Sequence, residues 1–369
     1  MKSLMNLLLF FIVSMLLFCG NGRYTGNCCT INIDGNAALK VNTNKLISTN
    51  NILNTKNISS PYKKNQYITI MYTDRDYITN YGIYDLNSKK FKPIYSRKKQ
   101  NYSDFVFDKK NNILYYSDLI DKKYDIYKVD LSKKESLPIK LLGDNYNGDV
   151  FDLIANKLVF RTREKGHRNY TIGTYNLANN QGNIWNKGAV DSYIYNFCYN
   201  SSNNKIYTIE RSLKDMDTKK FPNLPTHWIF QYNENGVKEK QLYATEKDIV
   251  NISVNNDGSK ILFDATSVEG NDTIHKIYLL DLSTSNEKVI IKPGDAFEKD
   301  TFTRIKEPKF SPDGKSFYFL GSTTKSSIVE KIQGGPTTTS NAIYYYQFSS
   351  KKISKIFEVP NTFINEFKN

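Results

Sequence analysis

Two short stretches carry most of the residues that could build a contact surface. Arg163, His167 and Arg168 fall in one run, and Arg211, Lys219, Lys220 and Trp228 in a second. Guanidinium and ammonium groups beside a tryptophan suit an acidic protein patch or an anionic glycan, because charge guides the encounter and the aromatic supplies buried area. Tryptophan and arginine also tend to dominate such interfaces. Catalytic patterns are absent by comparison: there is no G-x-S-x-G elbow, no P-loop and no H-E-x-x-H. His167, His227 and His275 read as loop residues beside strands in three different units, not as ligands of one metal. No catalytic residue, metal or cofactor is assigned.

Carboxylates recur more regularly. Asp85, Asp130 and Asp281 each end an apolar run that begins with isoleucine. Recurrence with a repeat points to turn stabilisation, since Asp oxygens readily satisfy turn amides. Asp257-Gly258 and Asp313-Gly314 read the same way, as turns and not as fragments of a calcium loop.

The elements that must position these residues are strands. Lys309-Phe310-Ser311-Pro312-Asp313-Gly314-Lys315 leads into Phe317-Tyr318-Phe319-Leu320. A tight turn opening onto an apolar strand is a hairpin signal. Asn255 to Lys260 before Ile261-Leu262-Phe263 repeats it, and weaker copies precede Ile113, Leu158 and Ile206. A second element starts at Ile83, Ile126, Ile172, Ile229, Ile277 and Ile343 and closes in a polar turn. Recurrence at roughly 40–50 residues, with four strands per unit and no helical period, predicts a β-propeller. The fold class is therefore all-β: six blades, each a four-stranded antiparallel sheet. The Pro-Asp-Gly type of turn joins first and second strands and is expected about six times. Strands from the chain termini should close the ring. Thr30–Ile33, Ala38–Val41 and the tail near Phe363-Ile364 are the candidates.

Pro308 to Lys315 with Phe317-Tyr318-Phe319 resembles the repeat of TolB-type propellers, and the I-Y-x-x-D-L runs resemble its third strand. The resemblance covers Tyr67 to about Val359 and implies a six-bladed ring. Two departures go with it. TolB has a globular domain ahead of its propeller, and the hydrolase domain that follows related propellers in prolyl oligopeptidases has no counterpart here.

The ends and the bulk composition bear on location. Lys2 followed by Leu7 to Phe18 reads as an export signal within residues 1–22. Leu16-Leu17-Phe18-Cys19 resembles a lipoprotein box and makes Cys19 the candidate lipidation site, while cleavage near Gly20-Asn21-Gly22 is the competing reading. Residues 23–57 read as a linker with a candidate ring-closing strand, and 58–369 as the propeller. Only Cys28, Cys29 and Cys198 remain, which is no disulfide framework. The formal charge of +14 comes from lysines scattered through turns. That pattern suits a solvated surface and blunted strand edges, not nucleic-acid binding.

The departures from the repeat lie between second and third strands. They are largest in blade four (Arg211 to His227) and blade six (Ser322 to Ala342), with the basic run of blade three nearby. Loops on a rigid scaffold are where binding concentrates. The expectation is a monomeric, exported, non-catalytic scaffold in the cell envelope, holding a protein or anionic glycan partner and reaching the membrane if Cys19 is lipidated. The alternative is a propeller enzyme acting on glycans or lactones through carboxylates at the axial funnel.

Overall fold

Each hairpin turn that the repeat demands needs one residue with positive φ, and the chain supplies one in turn after turn. Between first and second strands these are Asn112, Ala155, Asn204, Gly258 and Gly314, with φ of 55°, 51°, 55°, 74° and 68°. The computed structural model describes residues 67–369, apart from 99–103, 121–122, 135, 143–145, 147, 164–166, 186–190 and 332–336. The six antiparallel sheets form a ring, a six-bladed propeller.

Blade two is built from Phe105–Asp108, Ile113–Ile120, Lys123–Asp130 and Ile139–Lys140. Blade three follows with Phe151–Ile154, Lys157–Arg163, Tyr170–Asn176 and Gln181–Ile184. Blade four has Ser192–Asn200, Lys205–Ser212, His227–Asn233 and Lys238–Thr245. Blade five has Asp248–Val254, Lys260–Glu269, Asp272–Asp281 and Asn286–Ile291. Blade six has Asp300–Phe310, Ser316–Thr323, Ala342–Gln347 and Ile353–Glu358, with the short strand Ala296–Phe297 added beside the first.

Blade one differs. Its inner strand is the chain's own tail, Phe363–Lys368, paired antiparallel to Tyr67–Thr73, which continues into Thr79–Asp85 and Lys90–Arg97. The first-to-second turn therefore occurs five times, not six, because blade one joins those two strands by closing the ring. Thr30–Ile33 and Ala38–Val41, like Cys19 and the 1–22 and 23–57 segments, lie outside the described residues.

The core is not central. It consists of six separate apolar clusters, one at each junction between neighbouring blades. At the closing junction Ile68, Ile70 and Tyr84 pack against Tyr318, Leu320, Ile343 and Phe357, with Ile364 and Phe367 of the tail. A single four-stranded sheet cannot cover both of its faces, so stability comes from the interfaces between units. The turn aspartates behave as the repeat implies: Asp85 accepts from the Asn87 and Ser88 amides at 2.9 and 2.8 Å, Asp130 from Ser132 at 3.1 Å, and Asp281 from Ser283 at 3.0 Å.

Candidate functional site

Strands that alternate up and down place the second-to-third connections, and the connections between blades, on one face of the disc. On that face the long connection of blade four is folded. Ser212 caps a short helix, α1 (Leu213–Thr218), by accepting from the Asp215 amide at 3.0 Å. Asp215 then reaches forward and accepts from the Thr226 amide and hydroxyl at 2.9 and 2.5 Å. Those bonds hold its pKa down to about 2. Lys219 bridges Asp215 and Glu246 at 3.0 and 2.8 Å.

The blade-three and blade-four stretches do meet. Arg168 donates both terminal nitrogens to Asp217 at 2.9 and 2.8 Å, a two-pronged bond that straps blade three to α1. Arg163 is exposed, with its guanidinium 5.5 Å from the Tyr170 ring, and makes no ion pair among the described residues. His167 and Lys220 are exposed, while Trp228 is half-buried beside Phe230 at 6.3 Å. Arg211 departs from the expected rim. It belongs to the second strand of blade four, is 7% exposed, and turns inward to Asp248 at 2.5 Å. It also lies 3.6 Å over the Tyr195 ring, so it is not presented to a partner. Around this strap stand two further residues of the insert that the sequence marks, Phe221, 54% exposed, and Lys214, exposed and without an ion pair among the described residues; Met216, 40% exposed, is the one that the sequence pattern does not mark.

The histidines need a second correction. His227 is the first residue of a strand and buried, and His275 lies inside a strand. His227 Nε2 is 3.1 Å from Asp248, and its Nδ1 is 2.9 Å from the Pro225 carbonyl. Burial pulls the His227 pKa below the ordinary value, so the ring is neutral at pH 7. Asp248, Thr266 and His275 stand opposite one another on three adjacent strands of blade five. His275 Nδ1 is 3.0 Å from the Thr266 hydroxyl, and Nε2 is 3.3 Å from fully buried Asp264. Asp264 also accepts from the Asn251 amide at 2.7 Å, the Asn251 side chain at 3.0 Å and the Glu307 amide at 2.7 Å. Burial opposes the charged form of both aspartates, yet both pKa values are lowered. Arg211 and His227 outweigh burial at Asp248, and His275 with the amide donors does so at Asp264.

Other charged groups on or beside the first and second strands are matched as well. Lys368 meets Asp104 at 2.8 Å, Lys309 meets Glu366, and buried Arg161 meets Asp149. Burial pushes the Cys198 thiol up to about 12, which makes it a poor nucleophile. No group of three or more histidines, cysteines or carboxylates among the described residues is placed to hold a metal ion. A faint signal for these charges was available in the sequence. Asp104, Asp149 and Asp248 each directly precede an apolar inner-strand pair, as in Asp149-Val150-Phe151.

No family model matches the chain. The uncharacterized protein YdjN of Bacillus subtilis (strain 168) is 24% identical over 310 residues, spanning 81% of this chain and 86% of its own. Among solved structures, an oligogalacturonate lyase in complex with manganese superposes with a TM-score of 0.50 at 13% identity, covering 80% of this chain and 73% of the lyase. A protein assigned as TolB from Agrobacterium tumefaciens gives 0.50 at 12% identity, covering 79% and 89%. Likeness at these identities concerns the fold, and it agrees with the strand order: the chain is a TolB-like six-bladed β-propeller.

Proposed function

We propose that the protein is a non-catalytic, exported binding scaffold of the cell envelope, holding a protein or anionic glycan on the blade-three and blade-four side of its loop-bearing face. One observation carries the reading. The blade-four connection is folded, strapped by Arg168 to Asp217, and presents Met216 and Phe221 close to the lysines of the same segment. A prefixed loop loses less entropy on binding than a mobile one. Exposed Phe and Met beside unmatched cations have the composition of a contact surface. Lipidation at Cys19 would tether the scaffold, and Cys19→Ala should then release it from the membrane fraction. The test of binding is affinity capture from the native envelope with wild type and with Lys214→Ala/Lys220→Ala/Phe221→Ala. Loss of one specific partner in the triple variant supports the reading, and equal capture of every partner overturns it.

The enzyme reading rests on a different observation, the series Thr266 hydroxyl, His275 imidazole and Asp264 carboxylate on the second and third strands of blade five. An imidazole oriented by a buried carboxylate is the arrangement of a general base. Turnover of a lactone or a uronic-acid glycan by wild type, abolished in His275→Ala, would favour it over the scaffold.

A further inference from the structure

The insertion in blade six makes something that blade four does not. Its first residues and the segment leading into the blade enclose a cleft of about 350 Å³ on the loop-bearing face. That volume lies near the lower end of small-molecule sites, which run from about 300 to 1,000 Å³. Phe297 and Tyr344 form its base, edge to face at 5.0 Å. Tyr344 is 2% exposed, yet its hydroxyl has no hydrogen-bond partner among the described residues. The hydroxyl is not one of the buried polar atoms left without a partner, so it opens on the cleft, where solvent or a ligand can accept its hydrogen bond. Burial, then the carboxylates of Glu358, Asp300 and Glu298, keep its pKa above the ordinary tyrosine range, so it stays protonated and can donate.

The walls are fixed in advance. Asp300 accepts from the Thr301 and Lys325 amides at 2.8 and 3.3 Å and from the Thr324 hydroxyl. Lys325 Nζ donates to the Lys299 carbonyl at 3.1 Å, which ties the two sides together. Lys355 and Glu358 neutralise each other at 2.8 Å. That leaves Glu298 and Asp300 as two negative groups and Lys299 and Lys325 as two positive ones; Glu298, Lys299 and Lys325 are exposed, and none of the four is in an ion pair among the described residues.

We propose that this cleft binds a small zwitterion, a dipeptide with free termini, with its carboxylate toward Lys299 and Lys325, its ammonium toward Glu298, and its peptide carbonyl accepting from Tyr344. Opposite charges on one rim match a ligand carrying both, and charge-assisted hydrogen bonds are the strong ones. A neutral sugar fits less well. Phe297 and Tyr344 are 6% and 2% exposed, so neither offers an open ring for a sugar to stack on. The site is separate from the blade-four surface and does not depend on the scaffold reading.

Isothermal titration of the full chain with L-alanyl-L-alanine tests it, beside the N-acetylated and C-amidated dipeptides and maltose. The free dipeptide should bind, and blocking either terminus should weaken binding about tenfold or more, the loss of one charge-assisted contact. Tyr344→Phe should weaken it several-fold with no loss of thermal stability, because the deleted hydroxyl has no protein partner. Glu298→Gln should reduce affinity for the free dipeptide and leave that for the acetylated one unchanged. No binding of the free dipeptide, equal binding of the blocked forms, binding of maltose instead, or full affinity in Tyr344→Phe would each overturn the proposal.

Discussion

Arginine and aspartate meet twice on the blade-three side of the ring, in opposite surroundings. Arg161 and Asp149 have side chains 1% and 5% exposed, and Arg161 also donates to the Tyr195 carbonyl and lies 4.8 Å over the Tyr170 ring. Arg168 and Asp217, 67% and 51% exposed, have comparable two-pronged contact and little else. Inside the ring each charge was removed from water, so it depends on its partner. At the rim water can replace the partner at once. The first pair therefore holds the scaffold, and the second only fixes the posture of a loop.

The largest expected effect follows from that difference. Arg161→Ala leaves Asp149 as a buried, uncompensated charge and should destabilise the protein by about 3–5 kcal/mol, read from urea unfolding. Arg161→Met with Asp149→Leu should recover much of the loss, since a well-packed apolar pair can replace a buried ion pair. An unchanged midpoint for Arg161→Ala would break the comparison, because it would mean that the two pairs are equivalent.

Acid should separate the two regions next. His227 has a lowered pKa in the fold, so the unfolded chain takes up its proton first, near the ordinary value of about 6.5. Its contribution is complete above that pH and declines as pH falls below it. Asp248 and Asp264 also have lowered values, so their contribution is present above an unfolded value of about 4 and is lost as pH drops through the folded ones. Melting temperature should thus fall in two stages, one beginning just below pH 6.5 and one below pH 4. His227→Gln should remove the upper stage, and Arg168→Ala should alter neither. A profile flat from pH 7 to 5 in the wild type would contradict the buried neutral histidine.

Why the repeat was readable and the buried charge pairs were not comes down to distance along the chain. Turn residues act on amides two or three positions away, as Asp85 does on Asn87 and Ser88, so their pattern survives in the sequence. The six clusters at blade junctions also follow from local alternation of apolar residues on each strand. Asp264, in contrast, is satisfied by Asn251, His275 and Glu307, the last from the next blade. Nothing local marks such a set. The strap is similar: Arg168 and Lys219 were recognisable as cations, but Asp217 and Glu246 could be assigned to them only once blades three, four and five were placed. In the sequence Arg211 falls with the loop that follows, because the apolar run of its strand stops at Ile209.

Identical turns in different settings give a smaller contrast of the same kind. Gly314, at φ 68°, would place a new Cβ no nearer than 3.9 Å to Asn255, so Gly314→Ala carries only the backbone cost of a left-handed residue. Gly258, at φ 74°, would bring its Cβ to 2.7 Å from Asn203 and 2.9 Å from the Tyr207 hydroxyl, two groups that hydrogen-bond each other. Both substitutions should cost about 1–3 kcal/mol, with Gly258→Ala at the upper end. Gly314→Val should fall in the same range of about 1–3 kcal/mol, and Lys315→Ala should change little. Urea midpoints that rank Gly314→Ala as the more damaging would show that strain in these turns does not depend on the neighbouring blade.

The smallest expected effect on stability falls at the rim, and it is the one that bears on function. Arg163→Ala with Arg168→Ala removes one cation that has no ion pair among the described residues and one whose acid is half in water. Neither leaves a buried charge behind, so the melting temperature should match that of wild type. What should change is the posture and charge of the blade-four connection. The released Asp217 then stands as an added negative charge beside Lys214 and Lys220, on a segment no longer held to blade three. For an acidic partner both changes act in one direction: weaker binding and a shallower dependence on salt. A binding isotherm for whichever partner the envelope capture yields, taken at low and high salt, decides the matter. Unchanged affinity and salt dependence at an unchanged melting temperature would show that the strap and its arginines are ornamental and would move the contact surface to another part of the ring.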